Sequence, residues 1–422
     1  MIASGVGQAT GASPDRTGVR WLRVMLVLYV LAVFVATVQR GGILDAVENN
    51  FRIFRWAYFN LVQGVDLYAA HPAQHDDLFK YSPTFALFFA PFAPLPFVLG
   101  LTLWNATNAI GVWWAVTRLL PARQAALVLS LSFVEVLTAV QRAQSNALVA
   151  ALIILAFVAF QRGQLFRAAL AIGVGTFIKI FPLAMLMFGL FERRIVRFAL
   201  IFVGVMGVLA VLPLAVTTPT KLVAQYASWR AVEASDAGDL VNECVHCKRD
   251  FYAGGALYGG VMQQLRIWTG QPIPNWPVQL VGTLLLLLPM VVRRRDRGDA
   301  DFRQRLLASL LVYVVIFNHQ SESPSFVIAM LGIAIWYTTS ERTWWRTGLM
   351  ALTVFVVSIG YSDAMPAWVR GEIFARYRLK TVPCVVVWMV MQVELLWPEA
   401  GSRKPEGRRK PVGGETVAAI DA

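Results

Sequence analysis

Apolar runs recur along the whole chain, and short knots of arginine and lysine sit between them. This alternation constrains the fold more than any motif does. The knots fall at 16–23, 118–123, 162–167, 193–197, 293–305, 342–346 and 403–410. Basic residues in short connections face the cytoplasm, so an even number of spans must separate neighbouring knots. The chain is 57% hydrophobic and 15% charged, against about 25% charged in soluble domains, which fits a polytopic membrane bundle. Its formal charge of +13 then belongs to cytoplasmic connections and lipid headgroups rather than to nucleic acid.

Apolar segments that can serve as spans are 22–39, 97–117, 124–140, 146–160, 197–215, 277–292, 305–318, 325–338, 344–361 and 382–397. Segment 167–192 has the length of one span. A single span there would put Glu192, Arg193 and Arg194 outside and invert everything that follows. A break at Lys179-Ile180-Phe181-Pro182 resolves this, giving two short helices, 167–178 and 182–192, that meet near the outer face. The expectation is an all-α bundle of about 12 spans at ~20 residues each, forming one domain over 22–397 with both termini cytoplasmic. Residues 1–21 read as a cytoplasmic segment without a cleavable signal. The basic, Gly- and Pro-rich stretch 398–422 reads as a disordered cytoplasmic tail. Long external loops are expected at 40–96, 216–276 and 362–381, and no 20-to-50-residue repeat is visible. Non-helical backbone at membrane depth is tolerated only inside protein or beside a wet cavity, which marks Lys179 as a functional charge.

Polar chemistry gathers on the predicted outer side, where all four histidines fall: His71, His75, His246 and His319. The first loop holds Asp45, Glu48, Asn50, Asp66, Asp76, Asp77 and Lys80, and is far longer than an ordinary connection. Within it Phe51, Phe54, Tyr58 and Leu61 recur at three- or four-residue spacing, which predicts an amphipathic helix at the interface. Carboxylates beside Arg and Lys can deprotonate an acceptor hydroxyl and hold a phosphate; a transporter vestibule would look similar. A polar turn at 141–146 carries Arg142, Gln144 and Asn146, with Glu135 about two turns earlier. A second turn runs over 318–324. Ser323 can cap the helix that Pro324 begins, which leaves His319 and Glu322 for another role. Cys244 and Cys247 flank His246 in the second loop and could be a local disulfide, free thiols or part of a metal site that lacks further ligands. Cys384 fits a buried small hydrophobe. No G-x-x-x-x-G-K-[ST], G-x-S-x-G or H-E-x-x-H occurs, and no soluble α/β stretch could house a Rossmann domain.

In order, these positions resemble glycosyltransferase family 87, integral-membrane GT-C enzymes that use polyprenyl-phosphate sugars. The carriers are Asn50-Phe51, Gly64-Val65-Asp66-Leu67-Tyr68, Phe79-Lys80-Tyr81-Ser82-Pro83, and an apolar stretch ending Phe92-Ala93-Pro94-Leu95-Pro96. Gln144-x-Asn146 is similar to the family's Gly-Gln-x-Asn turn, with Ala143 in place of Gly, and Lys179 with Pro182 is similar to its Lys-x-x-Pro break. The resemblance covers most of 40–340. It implies a GT-C-like bundle that transfers a hexosyl group, commonly mannosyl, with inversion; with no eukaryotic retention signal apparent, a bacterial plasma membrane is expected. The donor would be a polyprenyl-phosphate-sugar and the acceptor a lipid or glycan at the outer face. No cofactor is implied beyond this lipid-linked donor, and metal dependence is left open. Lys179, Lys80 and Arg142 are candidate phosphate partners; Gln144, Asn146, His319 and Glu322 are candidates for binding sugar or acceptor. Where the family has its proposed Asp base, this chain has Asn50, and an amide accepts no proton near neutral pH. The displaced base could be Glu48, Asp45 or Asp66, nearest in sequence, or Asp76 or Asp77. Alternative readings are a transporter or flippase, which the broken helix fits, and a catalytically silent lipid-binding homologue.

Overall fold

The computed structural model describes residues 15–42, 48–246 and 259–397, except for the side chains of 236–246. The chain is built from helices: α1 (Arg16–Arg40), α2 (Asn49–Gln63), α3 (Pro83–Phe88), α4 (Phe97–Leu119), α5 (Ala122–Leu131), α6 (Phe133–Gln141), α7 (Asn146–Gln161), α8 (Leu165–Ile178), α9 (Leu186–Gly189), α10 (Ile195–Val211), α11 (Pro219–His246), α12 (Val261–Thr269), α13 (Asn275–Val292), α14 (Ala300–Ile316), α15 (Phe326–Thr339), α16 (Trp344–Val354) and α17 (Thr381–Leu396). Among the described residues there is no β-strand. Asp45, Cys247, the Cys244 side chain and the tail 398–422 lie outside what is described.

Burial explains which helix sits where. α15 is apolar on all sides and buried along nearly its whole length, so it forms the centre of the bundle with α7. It packs against α14, where a Cβ on Gly332 would fall 2.6 Å from the Ala308 carbonyl oxygen. Only a small residue permits that approach. At the periphery, α10 and α13 leave Val196, Leu200, Val203, Leu284 and Val291 exposed. Apolar faces of this extent are lipid-facing surface in a multi-pass membrane protein. Arg16–Arg40, Ile195–Ala215 and Asn275–Val292 are each long and apolar enough to cross a bilayer. α7, α8, Ser323–Thr339, Trp344–Ile359 and α17 are shorter apolar helices.

Each apolar segment expected from sequence is helical, and the expected break is present: α8 stops at Ile178 and Lys179 is extended, at φ −146° and ψ 147°. One bend is not anticipated. Segment 124–140, expected as a single span, divides at Ser132 into α5 and α6, which meet at 55°. Ser130 Oγ donates back to the Ala126 carbonyl, and such back-bonding bends helices.

Chain direction sets the two ends of the bundle apart. α4, α7, α9, α13 and α15 run into the basic knots, whereas α6 and α14 lead to the polar turns and α8 to Lys179. The expected amphipathic helix is α2, with Phe51, Phe54 and Leu61 buried and Tyr58 half-buried. The second loop contributes α11 and α12.

Candidate active site

At the end of the bundle away from the basic knots, several segments enclose a cavity of about 460 Å³. They are the start of α2, the irregular stretch 77–81, the turn after α6, the break after α8, one face of α11 and the turn after α14.

The break and the first loop hold each other. Ending a helix leaves its last carbonyls without intrahelical partners, and Ser82 Oγ donates to one of them, Phe177 O. The same hydroxyl caps α3 by accepting from Phe85 N at 3.1 Å. Pro182 falls in the first turn of the 3-10 segment Phe181–Met185, where its missing N–H costs nothing. Tyr68 OH donates to Tyr81 O at 2.7 Å. Gly64 ends α2 at φ +72°, a left-handed conformation that suits glycine, and Asp66 Oδ1 then accepts from Tyr68 N. The Gly-x-Asp-x-Tyr and aromatic-x-Pro motifs thus aim Lys80 and Tyr81 at the cavity.

Around Lys179 a polar network closes. Its Nζ donates to Asn146 Oδ1 at 2.9 Å and lies 5.7 Å from the centre of the Tyr81 ring. Tyr81 OH donates to Gln144 Oε1 at 3.3 Å, and Gln144 Nε2 donates to Glu322 Oε2 at 3.0 Å. The backbone that presents Gln144 is unusual: Ala143 is fully buried at φ +46°, the conformation for which the family pattern has glycine. Its carbonyl accepts the Trp104 indole N–H at 2.7 Å.

Of the residues expected from sequence, Asn50, Asp77, Lys80, Gln144, Lys179, His319 and Glu322 line the cavity. Asn146 stands behind them, holding Lys179. Asn50 Nδ2 donates to Arg142 O at 2.9 Å and to Glu48 Oε1 at 3.3 Å, so Arg142 enters through its carbonyl while its exposed side chain is not in the lining. Glu48 is buried behind Asn50 at the start of α2. Burial raises its carboxyl above the usual range, with Arg142 and Arg40 pulling the other way. Asp66 is turned to Tyr68 N and to Ser228 Oγ at 3.2 Å, and the Asp76 backbone N–H donates to Asn49 Oδ1; neither lines the cavity.

The structure adds lining residues that the sequence reading did not single out as site residues: Tyr81, Trp229, Glu233, Asn318 and Gln320. Trp229 and Glu233 are four apart on α11, a spacing that places them on one helix face and could have been read from the long second loop. Beside the site, Glu135 pairs with Lys380, Nζ to Oε2 at 2.9 Å, with side chains 1% and 5% exposed. Lys380 Nζ also donates to Ser323 Oγ at 2.9 Å, next to Glu322. Among the described residues no three His, Cys, Asp or Glu side chains come together as a metal-binding set.

No curated protein matches the chain. Among solved structures it is similar to ArnT from Cupriavidus metallidurans bound to undecaprenyl phosphate, at 14% identity and a TM-score of 0.40, over 89% of this chain and 77% of that one. The model of glycosyltransferase family 87 matches residues 79–317. That match takes in more than half of the sequence and about half of the cavity lining, from Lys80 and Tyr81 through Gln144 and the Lys179 break to the Trp229 face of α11. On that extent, the chain belongs to glycosyltransferase family 87.

Proposed function

We propose that this membrane glycosyltransferase moves a hexosyl group, with mannosyl the first candidate, from a polyprenyl-phosphate-sugar to a lipid or glycan acceptor at the outer face of a bacterial plasma membrane. The observation that carries this reading is a single cavity lined both by Lys179 and Lys80 and by Asp77. The lysines meet the donor phosphate. Asp77 is exposed at the cavity and reachable by an acceptor hydroxyl, whereas Glu322 already accepts the Gln144 amide.

The reaction is an in-line displacement. The acceptor oxygen attacks C1 of the sugar, Asp77 takes the hydroxyl proton, and the C1–O bond to phosphate breaks with inversion at C1. The bonding electrons leave with polyprenyl phosphate, whose charge Lys179 and Lys80 stabilise. The polyprenyl chain stays in lipid, so the head alone must reach the cavity.

The test is transfer by the purified protein from radiolabelled polyprenyl-phosphate-mannose and its glucose analogue to a lipid and glycan extract. Asp77→Asn should lower kcat by about 10²- to 10⁴-fold, the usual contribution of a general base, while donor affinity is kept. Glu48→Gln, Asp66→Asn and Asp76→Asn should leave kcat within a few-fold of the parent. A collapse of kcat in one of those three instead would move the base there. Donor binding with no transfer to any fraction of the extract would favour the silent homologue.

A further inference from the structure

Trp229 and Glu233 line the cavity, yet phosphate binding and proton removal use neither. The helix that carries them is firmly placed. Gln225 Oε1 accepts from Leu67 N at 3.0 Å and its Nε2 donates to Val65 O at 2.8 Å, while Ser228 Oγ donates to Asp66 Oδ2. These contacts clamp α11 to the turn that follows α2. Tyr226, its hydroxyl donating to Ala210 O at 2.8 Å, packs against the Trp229 ring at 6.2 Å. The Trp229 indole is therefore a fixed plate, and its Nε1–H is buried with no partner among the described residues.

An unpartnered buried N–H is costly, and native proteins rarely leave such groups unpaired without a reason. A ligand oxygen would supply the missing acceptor. The neighbouring chemistry narrows the ligand. A phosphate is disfavoured beside the Glu233 carboxylate, and a polyprenyl chain offers no acceptor for the indole. A hexose offers both parts, an apolar C–H face to lie on an aromatic plate and hydroxyls that accept from N–H and donate to carboxylate.

We infer that Trp229 and Glu233 form a hexose subsite, the indole stacking under the ring and donating Nε1–H to a hydroxyl oxygen while Glu233 accepts from a second hydroxyl. This rests on the function proposed above and deepens it, separating a sugar wall on α11 from the lysines that meet phosphate. The sugar could belong to donor or acceptor.

The test compares full-length wild type with Trp229→Phe, Trp229→Leu and Glu233→Gln in detergent. Three affinities are measured: for undecaprenyl phosphate, for undecaprenyl-phosphate-mannose and its glucose analogue, and for methyl hexopyranosides on protein preloaded with undecaprenyl phosphate. If the subsite holds the donor sugar, Trp229→Leu weakens the sugar-bearing lipids about tenfold or more, from loss of a stacked ring and a hydrogen bond. Trp229→Phe weakens them less, and the bare lipid is unaffected. If it holds the acceptor sugar, both lipid affinities stay and methyl hexopyranoside binding is lost. The inference is overturned if none of the three moves, or if bare and sugar-bearing lipid weaken by the same factor. Wild type that fails to bind undecaprenyl phosphate would overturn the lipid-donor reading first, so the two failures are told apart.

Discussion

Lys179 is held at the end of α8 by an extended backbone, and its ammonium donates to Asn146 Oδ1 beside the Tyr81 ring. A phosphate gives it a charge-assisted partner worth about 1.5–3 kcal/mol. Lys179→Ala should therefore weaken the polyprenyl-phosphate donor by roughly 10- to 100-fold in a binding assay, with the protein still folded and monodisperse in detergent. Unchanged donor affinity would remove Lys179 from the phosphate site. Glu48 yields a prediction of opposite kind. Burial raises its folded-state value above the ordinary 4.5, so the folded protein keeps the proton to higher pH than the unfolded chain does. Its contribution to stability is present below 4.5 and is lost as pH rises through the raised value. Glu48→Gln keeps an acceptor for Asn50 Nδ2 and cannot ionise. We predict higher thermal stability than wild type at neutral pH, an advantage that fades on acidification towards 4.5; a difference independent of pH would refute the assignment.

The elements most in need of an anchor are those that meet at the Glu322 turn, and the Glu135–Lys380 pair joins them. Glu135 comes from α6 just past its bend, Lys380 directly precedes α17, and Lys380 reaches Ser323 beside Glu322. A charge buried to this degree is costly without its partner. Lys380→Met should destabilise the protein by about 3–5 kcal/mol and lower kcat as the Glu322 turn loosens. The double change Glu135→Gln with Lys380→Met should recover most of that stability, and additive losses in thermal unfolding would show that the pair is not coupled. Local sequence announces only part of this arrangement. The Lys179 break is legible because Pro182 and the charge alternation demand it together. The bend at Ser132 is not, since 124–140 is mostly apolar and has neither Pro nor Gly. Asn50, Asp77, Lys80 and Glu322 are legible as polar residues in a lipid-soluble chain, but their meeting is a tertiary fact. Lys380 pairs with a residue far away in sequence and stands among ordinary loop cations, so no spacing could single it out.

At the scale of the whole molecule, the basic knots and the cavity occupy opposite ends of the bundle because α4, α7, α9, α13 and α15 run into the knots while α6, α8 and α14 run to the cavity. We propose that the knots face the cytoplasm, as the positive-inside rule predicts, which would open the cavity on the outer side, where a lipid-linked sugar is available and nucleotide sugars are not. Two single cysteines test this in a background with Cys244 and Cys247 changed to serine; Cys384 is buried and can stay. Ala70→Cys lies in the exposed part of the first loop, and Gln161→Cys ends α7 beside a basic knot. In intact cells a membrane-impermeant maleimide should label Ala70→Cys, and Gln161→Cys should react only after permeabilisation. The reverse pattern would put the cavity in the cytoplasm. Donor recognition would then have to be reconsidered from the lysines outward, since a cytoplasmic cavity has nucleotide sugars within reach and no longer needs a lipid carrier to explain its place.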